Sequence, residues 1–190
     1  MAIQLQRRLF TVDEYYTMLH AGILTEDDRV ELLEGKIVTR PPIGSHHANC
    51  VDQLNWLLTS RLGQRARVRV QNPIQIGELS APQPDLAVVV PRPGSYILSH
   101  PGPAEVLLLV EVADTTIAID RDVKLPLYAR AGIREVWLVD LEAQRVEVYR
   151  DPSPNGYRSV REAARGDSLS PAAFPDVALH VSEILGEEQG

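Results

Sequence analysis

Cysteine is nearly missing from this 190-residue chain: Cys50 stands alone, which excludes an internal disulfide and any zinc site built from several cysteines. No apolar run approaches the ~18 residues of a membrane-spanning helix. Arg7 and Arg8 near the start are not followed by the apolar stretch of a secretory signal. A cytoplasmic protein with no membrane partner is expected. Surplus positive charge is missing too, since the net charge is −7. Nucleic acid could then be met only through a local basic stripe. Arg61, Arg65, Arg67 and Arg69, with no acid between them, are one candidate; the alternative is a solvated helix end and edge strand. Repeats and low-complexity segments are absent. What is present is ordinary for a globular protein, with 44% hydrophobic residues against a norm of ~45–50%. The length fits a single domain over 1–190, with a core over about 11–181 and a frayed acidic tail over 186–190.

Two apolar runs carry acids where acids are costly. Pro84-Asp85-Leu86-Ala87-Val88-Val89-Val90 has an aspartate at its mouth, and Val106-Leu107-Leu108-Leu109-Val110-Glu111-Val112 has a glutamate near its end. Such runs read as strands buried on both faces, in which a carboxylate needs a partner. If the strands are neighbours, Asp85 and Glu111 converge, and two carboxylates about 4 Å apart repel by ~4 kcal/mol at an effective dielectric of 20. A hard divalent cation would convert that repulsion into ligation. The plainer alternative is that Asp85 caps its strand and Glu111 pairs with an arginine.

Around these runs the pattern predicts a mixed α/β order. Thr11 and Glu14 form a capping box for a helix over Val12 to Leu19. Glu34-Gly35 turns a hairpin between Arg29–Leu33, which holds Glu31, and Lys36–Thr39. Ser45 is the expected cap of a helix from His46 to Leu62, stopped by Gly63. Short strands are expected at Arg67–Gln71 and Ile74–Ile76, with a helix from Asp120 to Arg130 in which Pro126 must lie near the start or cause a kink. Val136–Val139 reads as a buried strand and Arg145–Tyr149 as an exposed one, with weaker strands at Tyr157–Val160 and Val177–Val181.

Lysine is the scarcest charged residue. Of 19 basic residues only Lys36 and Lys124 are lysines, so Lys124 marks a place that calls for a compact ammonium instead of a planar fork. On the predicted helix it shares a face with Leu127, Tyr128 and Ala131. A lysine there needs an acid, and Asp85 and Glu111 are the candidates; otherwise its amine reaches solvent over a packed stem.

Pro84-Asp85, the strand end Glu111-Val112-Ala113, and the run from Asp122 to Gly132 followed by Glu135 to Asp140 resemble the Uma family of restriction-endonuclease-like proteins, within the PD-(D/E)xK nuclease superfamily. Glu31-Leu32 with Gly35, and His47 at a helix start, are similar to its N-terminal blocks. The resemblance covers roughly residues 11–181. It implies a restriction-endonuclease-like α/β fold, a four-stranded mixed sheet flanked by helices, here with extra hairpins. It further implies Mg²⁺-dependent endonuclease chemistry on nucleic acid, DNA before RNA, and a homodimer. Asp85 matches the PD aspartate, Glu111 the D/E position and Glu31 an extra N-terminal acid. The lysine expected two residues after Glu111 is replaced by Ala113, and Lys124 resembles a migrated lysine supplied by the next helix. In the implied site Asp85, Glu111, Glu31 and the carbonyl of Val112 hold Mg²⁺ or Mn²⁺, and Lys124 orients the attacking water. Gln75 or Gln83 would meet the phosphate. If Lys124 points elsewhere, the chain is a non-catalytic nuclease-fold protein acting in binding or assembly. The dimer has a second motive: Trp137 and an exposed strand Arg145–Tyr149 would leave an edge that a second copy could cover.

Three other patterns carry less. Gly166-Asp167-Ser168-Leu169 spells a lipase-type serine motif, but too near the end of the chain for Asp176 and His180 to complete it. His46 and Cys50 lie four apart on a helix, a lone pair without further metal ligands. His47 reads as structural, with the acidic site as its alternative.

Overall fold

The computed structural model describes residues 7–114 and 117–186. The expected tail beyond Gly186 lies outside the described residues, as do residues 1–6. Helix α1 (Val12–His20) opens with the expected capping box, Thr11 Oγ1 accepting from the Glu14 amide and the Glu14 carboxylate accepting from Thr11 N–H. Strands β1 (Val30–Leu33) and β2 (Lys36–Thr39) form the hairpin. Its turn has positive φ at both Glu34 and Gly35, the primed geometry that tight hairpins need. A side chain at Gly35 would also collide with Leu9, whose Cβ lies 2.6 Å from where the added atom would sit. Helix α2 (Ser45–Leu62) follows. Gly44, not Ser45, occupies its cap position, without a side-chain hydrogen bond, and Gly63 ends it at φ 56°.

Among the described residues six strands, two more than the resemblance implies, build the main sheet in the order β3-β4-β5-β6-β7-β8: β3 (Arg67–Val70), β4 (Leu86–Val89), β5 (Val106–Ala113), β6 (Glu135–Asp140), β7 (Arg145–Ser153) and β8 (Gly156–Ala164). The β5–β6 pair is parallel and every other pair antiparallel. Two short strands, β9 (Ser168–Leu169) and β10 (Leu179–His180), pair before α5 (Val181–Leu185). Ile74 to Ile76 does not form a strand: beyond the bend at Gln71, whose φ is 49°, Ile76 makes only an isolated bridge with Ser80.

Strand alternation sorts the runs onto two faces. Leu108, Val110 and Val112 of β5 join Val88, Trp137 and Val139 in the core beneath α2. Leu109 and Ala113 join Ala87, Val89, Val136 and Leu138 beneath the second helix. Each fully buried Leu or Val contributes ~1.5–3 kcal/mol, so this split fixes register, and register turns Glu111 toward the second helix.

That helix has three pieces: α3 (Ile117–Ile119), a π-helical turn (Asp120–Lys124) and α4 (Leu125–Arg130). It begins before Asp120, which is buried in the turn and is not its cap. The turn has a local cause. Pro126 cannot donate to the preceding turn and its ring crowds the carbonyl four residues back; the widened turn absorbs this, with Leu125 N–H reaching Asp120 O.

The expectation for β7 is corrected. It lies between β6 and β8, and Trp137 is fully buried with Nε1 donating to Glu135. The edge meant for a second copy is therefore inside the sheet, covered by β8.

Candidate active site

The antiparallel register pairs Leu86 with Val110, which sets Asp85 opposite Glu111 one step further on. Asp85 and Glu111 line one cleft of about 270 Å³ together with Glu31 from β1, Val112 from β5, and Asp120 and Lys124 from the π-helical turn. The sequence-predicted site residues are thus brought together from four parts of the chain. Ile43, Ile119 and Val123 give the cleft an apolar rim.

Asp85 is heavily satisfied. Its Oδ2 accepts from Val112 N–H at 2.9 Å and contacts His47 Nε2 at 3.1 Å, while Oδ1 accepts from Gln71 Nε2 at 3.3 Å. Arg40 Nη2 lies 3.9 Å away. Burial would raise the Asp85 carboxyl, but the hydrogen bond and charge of His47, with the Val112 amide, hold it below the usual aspartate value. His47 therefore belongs to the site, contrary to its structural reading. The plainer role for Asp85, a strand cap, does not account for a side chain wedged between β5 and α2.

Glu111 has different company. Tyr128 Oη donates to its Oε1 at 2.5 Å and Lys124 Nζ to its Oε2 at 3.3 Å. Among the described residues no arginine is its partner. Burial beneath the helix pushes its carboxyl up to about 8, against the pull of the Lys124 ammonium. Burial alone would lower Lys124; Glu111, Glu31 and Asp120, at 3.3, 3.5 and 3.6 Å, outweigh it and hold the ammonium charged. Glu31 is anchored from the other side by the Gln83 amide N–H at 2.9 Å. The Gln83 side chain is engaged with Arg40, and Gln75 Nε2 with Gly77 O, so neither amide is aimed at the cleft.

Could this set hold a divalent cation? Among the described residues no three His, Cys, Asp or Glu side chains stand close enough together to form a ready-made cluster. The donor chemistry nonetheless fits a hard ion: all the acids supply oxygen, and Glu111 is a carboxyl that only a nearby positive charge will keep ionised. Lys124 already places one positive charge among Glu31, Glu111 and Asp120.

The discounted patterns stay discounted. The Cys50 thiol is pushed up to about 12, chiefly by burial, and donates to Ile184 O, which suits a core residue and not a metal ligand. Ser168 Oγ and His180 Nδ1 are 2.8 Å apart as an exposed cross-strand pair, but Asp176 is held by Arg65 and gives them no third member. Sequence reading missed Tyr128 as a hydroxyl donor, Asp120 as a site acid, and Gln71 and Arg40. Only Tyr128 carried a signal, its shared helical face with Lys124.

Comparison with known proteins bears on the fold and the family. No curated protein matches the chain. A crystal structure titled as a "putative nuclease belonging to DUF820" from Anabaena variabilis superposes with a TM-score of 0.73 at 20% identity, covering 93% of this chain and 97% of that one. At that identity the likeness concerns the fold. No helix among the described residues is long and apolar enough to cross a membrane. The profile of the Uma2 family, described as "Putative restriction endonuclease", matches residues 12–182. The chain belongs to the Uma2 restriction-endonuclease-like family.

Proposed function

We propose that residues 1–190 form one cytoplasmic nuclease domain that hydrolyses nucleic-acid phosphodiester bonds, DNA before RNA, with Mg²⁺ or Mn²⁺. The observation that carries this reading is the position of Lys124. Ala113 cannot supply the lysine of the motif, and a helix that follows β5 brings an ammonium to 3.3 Å from Glu111 Oε2 instead.

Asp85, Glu111, Glu31 and the Val112 carbonyl would hold the ion. When bound, it stabilises charge on the scissile phosphate and lowers the pKa of the attacking water. The chain's own groups do the positioning. His47 and the Val112 amide fix the Asp85 carboxylate, Tyr128 fixes Glu111, and Lys124 orients the water and offsets negative charge that grows during attack. The apolar rim excludes bulk water from that charge.

The test is cleavage of single- and double-stranded DNA and RNA with Mn²⁺ by the parent and by Asp85→Ala, which should lose metal binding and cleavage together. A parent that cuts none of the four substrates would transfer the fold to the non-catalytic class, in binding or assembly. The protein also acts as a homodimer in this reading. With β7 enclosed, the outer strand β8, where Val160 is 54% exposed, is the edge open to a second copy. Sedimentation at micromolar concentration should show twice the 21.1 kDa chain mass; a monomer throughout would sink the dimer.

A further inference from the structure

We propose that Arg67 and Arg69 on the edge strand β3 form a second binding site, for the phosphodiester backbone of a nucleic-acid strand leaving the cleft, a reading that rests on the proposed nuclease function. The four-arginine stripe divides into two halves with different duties. Arg61 donates to Glu183 Oε1 and Ala178 O, and Arg65 to Asp176 Oδ2, so their charge is engaged in holding the C-terminal segment. Arg67 and Arg69 have no carboxylate in ion-pair contact among the described residues, in a chain whose net charge is −7.

Arg69 is the more telling of the two. Its Nη2 donates to His100 Nδ1 at 3.4 Å, and its Nε is buried with no acceptor. Burial and the Arg69 charge hold His100 below its ordinary pKa, so the imidazole accepts without neutralising. The guanidinium lies 5.2 Å from the centre of the Tyr96 ring, which Arg92 also faces at 4.0 Å. Arg92 is answered by Glu105 at 2.8 Å. Arg69 is answered by no acid. A half-buried guanidinium kept without a carboxylate is poised for an anion from outside.

Placement identifies the anion. Both arginines line an open recess of about 360 Å³ with Thr59, Ser95 and Tyr96. In the β3–β4 register Arg69 faces Ala87 and Arg67 faces Val89, and alternate residues of a strand share one face. Each two-residue step is roughly 6.6 Å. The strand ends at Val70, and Gln71, at the bend that follows, touches Asp85 with its side-chain amide. Positive groups at regular steps leading away from the candidate metal aspartate match the repeating charge of a strand, whereas a lone free phosphate would need only one of them.

The experiment measures binding of a fluorescein-labelled single-stranded 20-mer by anisotropy in EDTA across a salt series. Arg67→Gln and Arg69→Gln should each weaken binding about fivefold and flatten the log K against log salt slope by ~0.7, the value for one phosphate contact on single strands. Arg65→Gln, the engaged arginine, should match the parent. Arg67 is exposed, so its variant tests the site even if Arg69→Gln folds poorly. Parental affinity and slope in Arg67→Gln would overturn the site, as would a parent that does not bind the strand. Inorganic phosphate that displaces the 20-mer beyond chloride of equal ionic strength would assign the recess to free phosphate and also overturn it. Failure of the nuclease reading looks different: a parent that cuts nothing, while Arg67→Gln still loses its slope.

Discussion

Glu111 and Glu147 stand in one row of the sheet, Glu111 paired with Leu138 on β6 and Leu138 with Glu147 on β7. Strand spacing puts them roughly 9.6 Å apart, on the same face and both buried. Each accepts from a tyrosine hydroxyl, but their cationic partners differ. Glu147 Oε1 accepts from Arg121 at 2.7 Å and from Arg145 at 3.0 Å, and Tyr149 donates to Oε2. Burial would raise Glu147, but Tyr149 and the two arginines outweigh it and leave it low. Glu111, more deeply buried and with the acids Asp120 and Asp85 nearby, is pushed up to about 8, chiefly by burial, against the pull of one lysine and one tyrosine. Two arginines at a less deeply buried position fix an acid as permanently ionised; a single lysine at a fully buried one leaves an acid ready to change its charge when a cation arrives. The first is a structural arrangement, the second a functional one. The π-helical turn joins them, Arg121 reaching Glu147 while Lys124 reaches Glu111.

The largest effect should come from the Glu111 side. Lys124→Gln and Glu111→Gln should each reduce Mn²⁺-dependent cleavage by ~10²–10⁴-fold, the usual scale for a positioned proton-handling group. Lys124→Arg should be nearly as poor, since a planar fork does not fit an ammonium's place among three acids. Lys124→Ala is a worse test than Lys124→Gln: both remove the cation shared by three buried acids, but alanine also leaves a void and no hydrogen-bond donor, which confounds chemistry with folding. Glu111→Gln, which keeps the Tyr128 hydrogen bond and imitates the protonated acid, should melt within a few degrees of the parent in EDTA at neutral pH. Undiminished cutting by Lys124→Gln would refute the migrated-lysine reading.

Glu147→Gln should show the reverse pattern. Removing the acid leaves Arg121 and Arg145 without their common partner, and both are partly exposed, so the loss is about 1–3 kcal/mol and below the full cost of a buried pair. Urea denaturation measures it. Cleavage per folded molecule should survive. A Glu147→Gln protein as stable as the parent would mean that the arginines find other acceptors, Asp140 at 3.9–4.0 Å from both and Glu162 at 3.9 Å from Arg145.

Arg121→Ala sharpens the link between the two glutamates. It frees the turn from β7 without touching the cleft, and about tenfold slower cleavage, with substrate affinity kept, would be the cost of a Lys124 less well placed. If KM rises and kcat does not fall, Arg121 meets substrate and does not position the turn.

How much of this was legible from sequence follows from the physics of each residue. Apolar runs announce buried strands, and an acid inside one is conspicuous because burial is costly; Asp85, Glu111 and the single helical lysine were readable for that reason. Glu147 was not, since alternation in Arg145-Val146-Glu147-Val148-Tyr149 looks the same for an edge strand facing water and for an inner strand whose acid meets an arginine from elsewhere. The same ambiguity hid β8 as the cover of β7. Gln71 and Arg40 reach Asp85 only through the turns after β3 and β2, long-range contacts with no local pattern. The π-helical turn follows from Pro126, whose disruption was predictable although its form was not.

The last comparison is the dependence of stability on pH, where Asp85 and Glu111 should pull in opposite directions. Glu111 has an ordinary value of 4.5 and about 8 in the fold, so between them the folded protein binds a proton that the unfolded chain does not. Stability from this group is complete below about 4.5 and is lost as pH rises through about 8. Asp85 is held below its ordinary 3.8, so its contribution is present above that value and is lost as pH falls through the lowered one. Lys124 stays charged through both windows and adds no slope. In EDTA the melting temperature should therefore decline from pH 5 to pH 8, and Glu111→Gln should flatten that decline. Saturating Mg²⁺ should reverse it, because a carboxylate ligand must shed its proton to bind and higher pH then favours the bound fold. A parent whose melting temperature rises from pH 5 to pH 8 without metal would show that Glu111 is already ionised, and its likeness to Glu147 would be closer than their partners suggest.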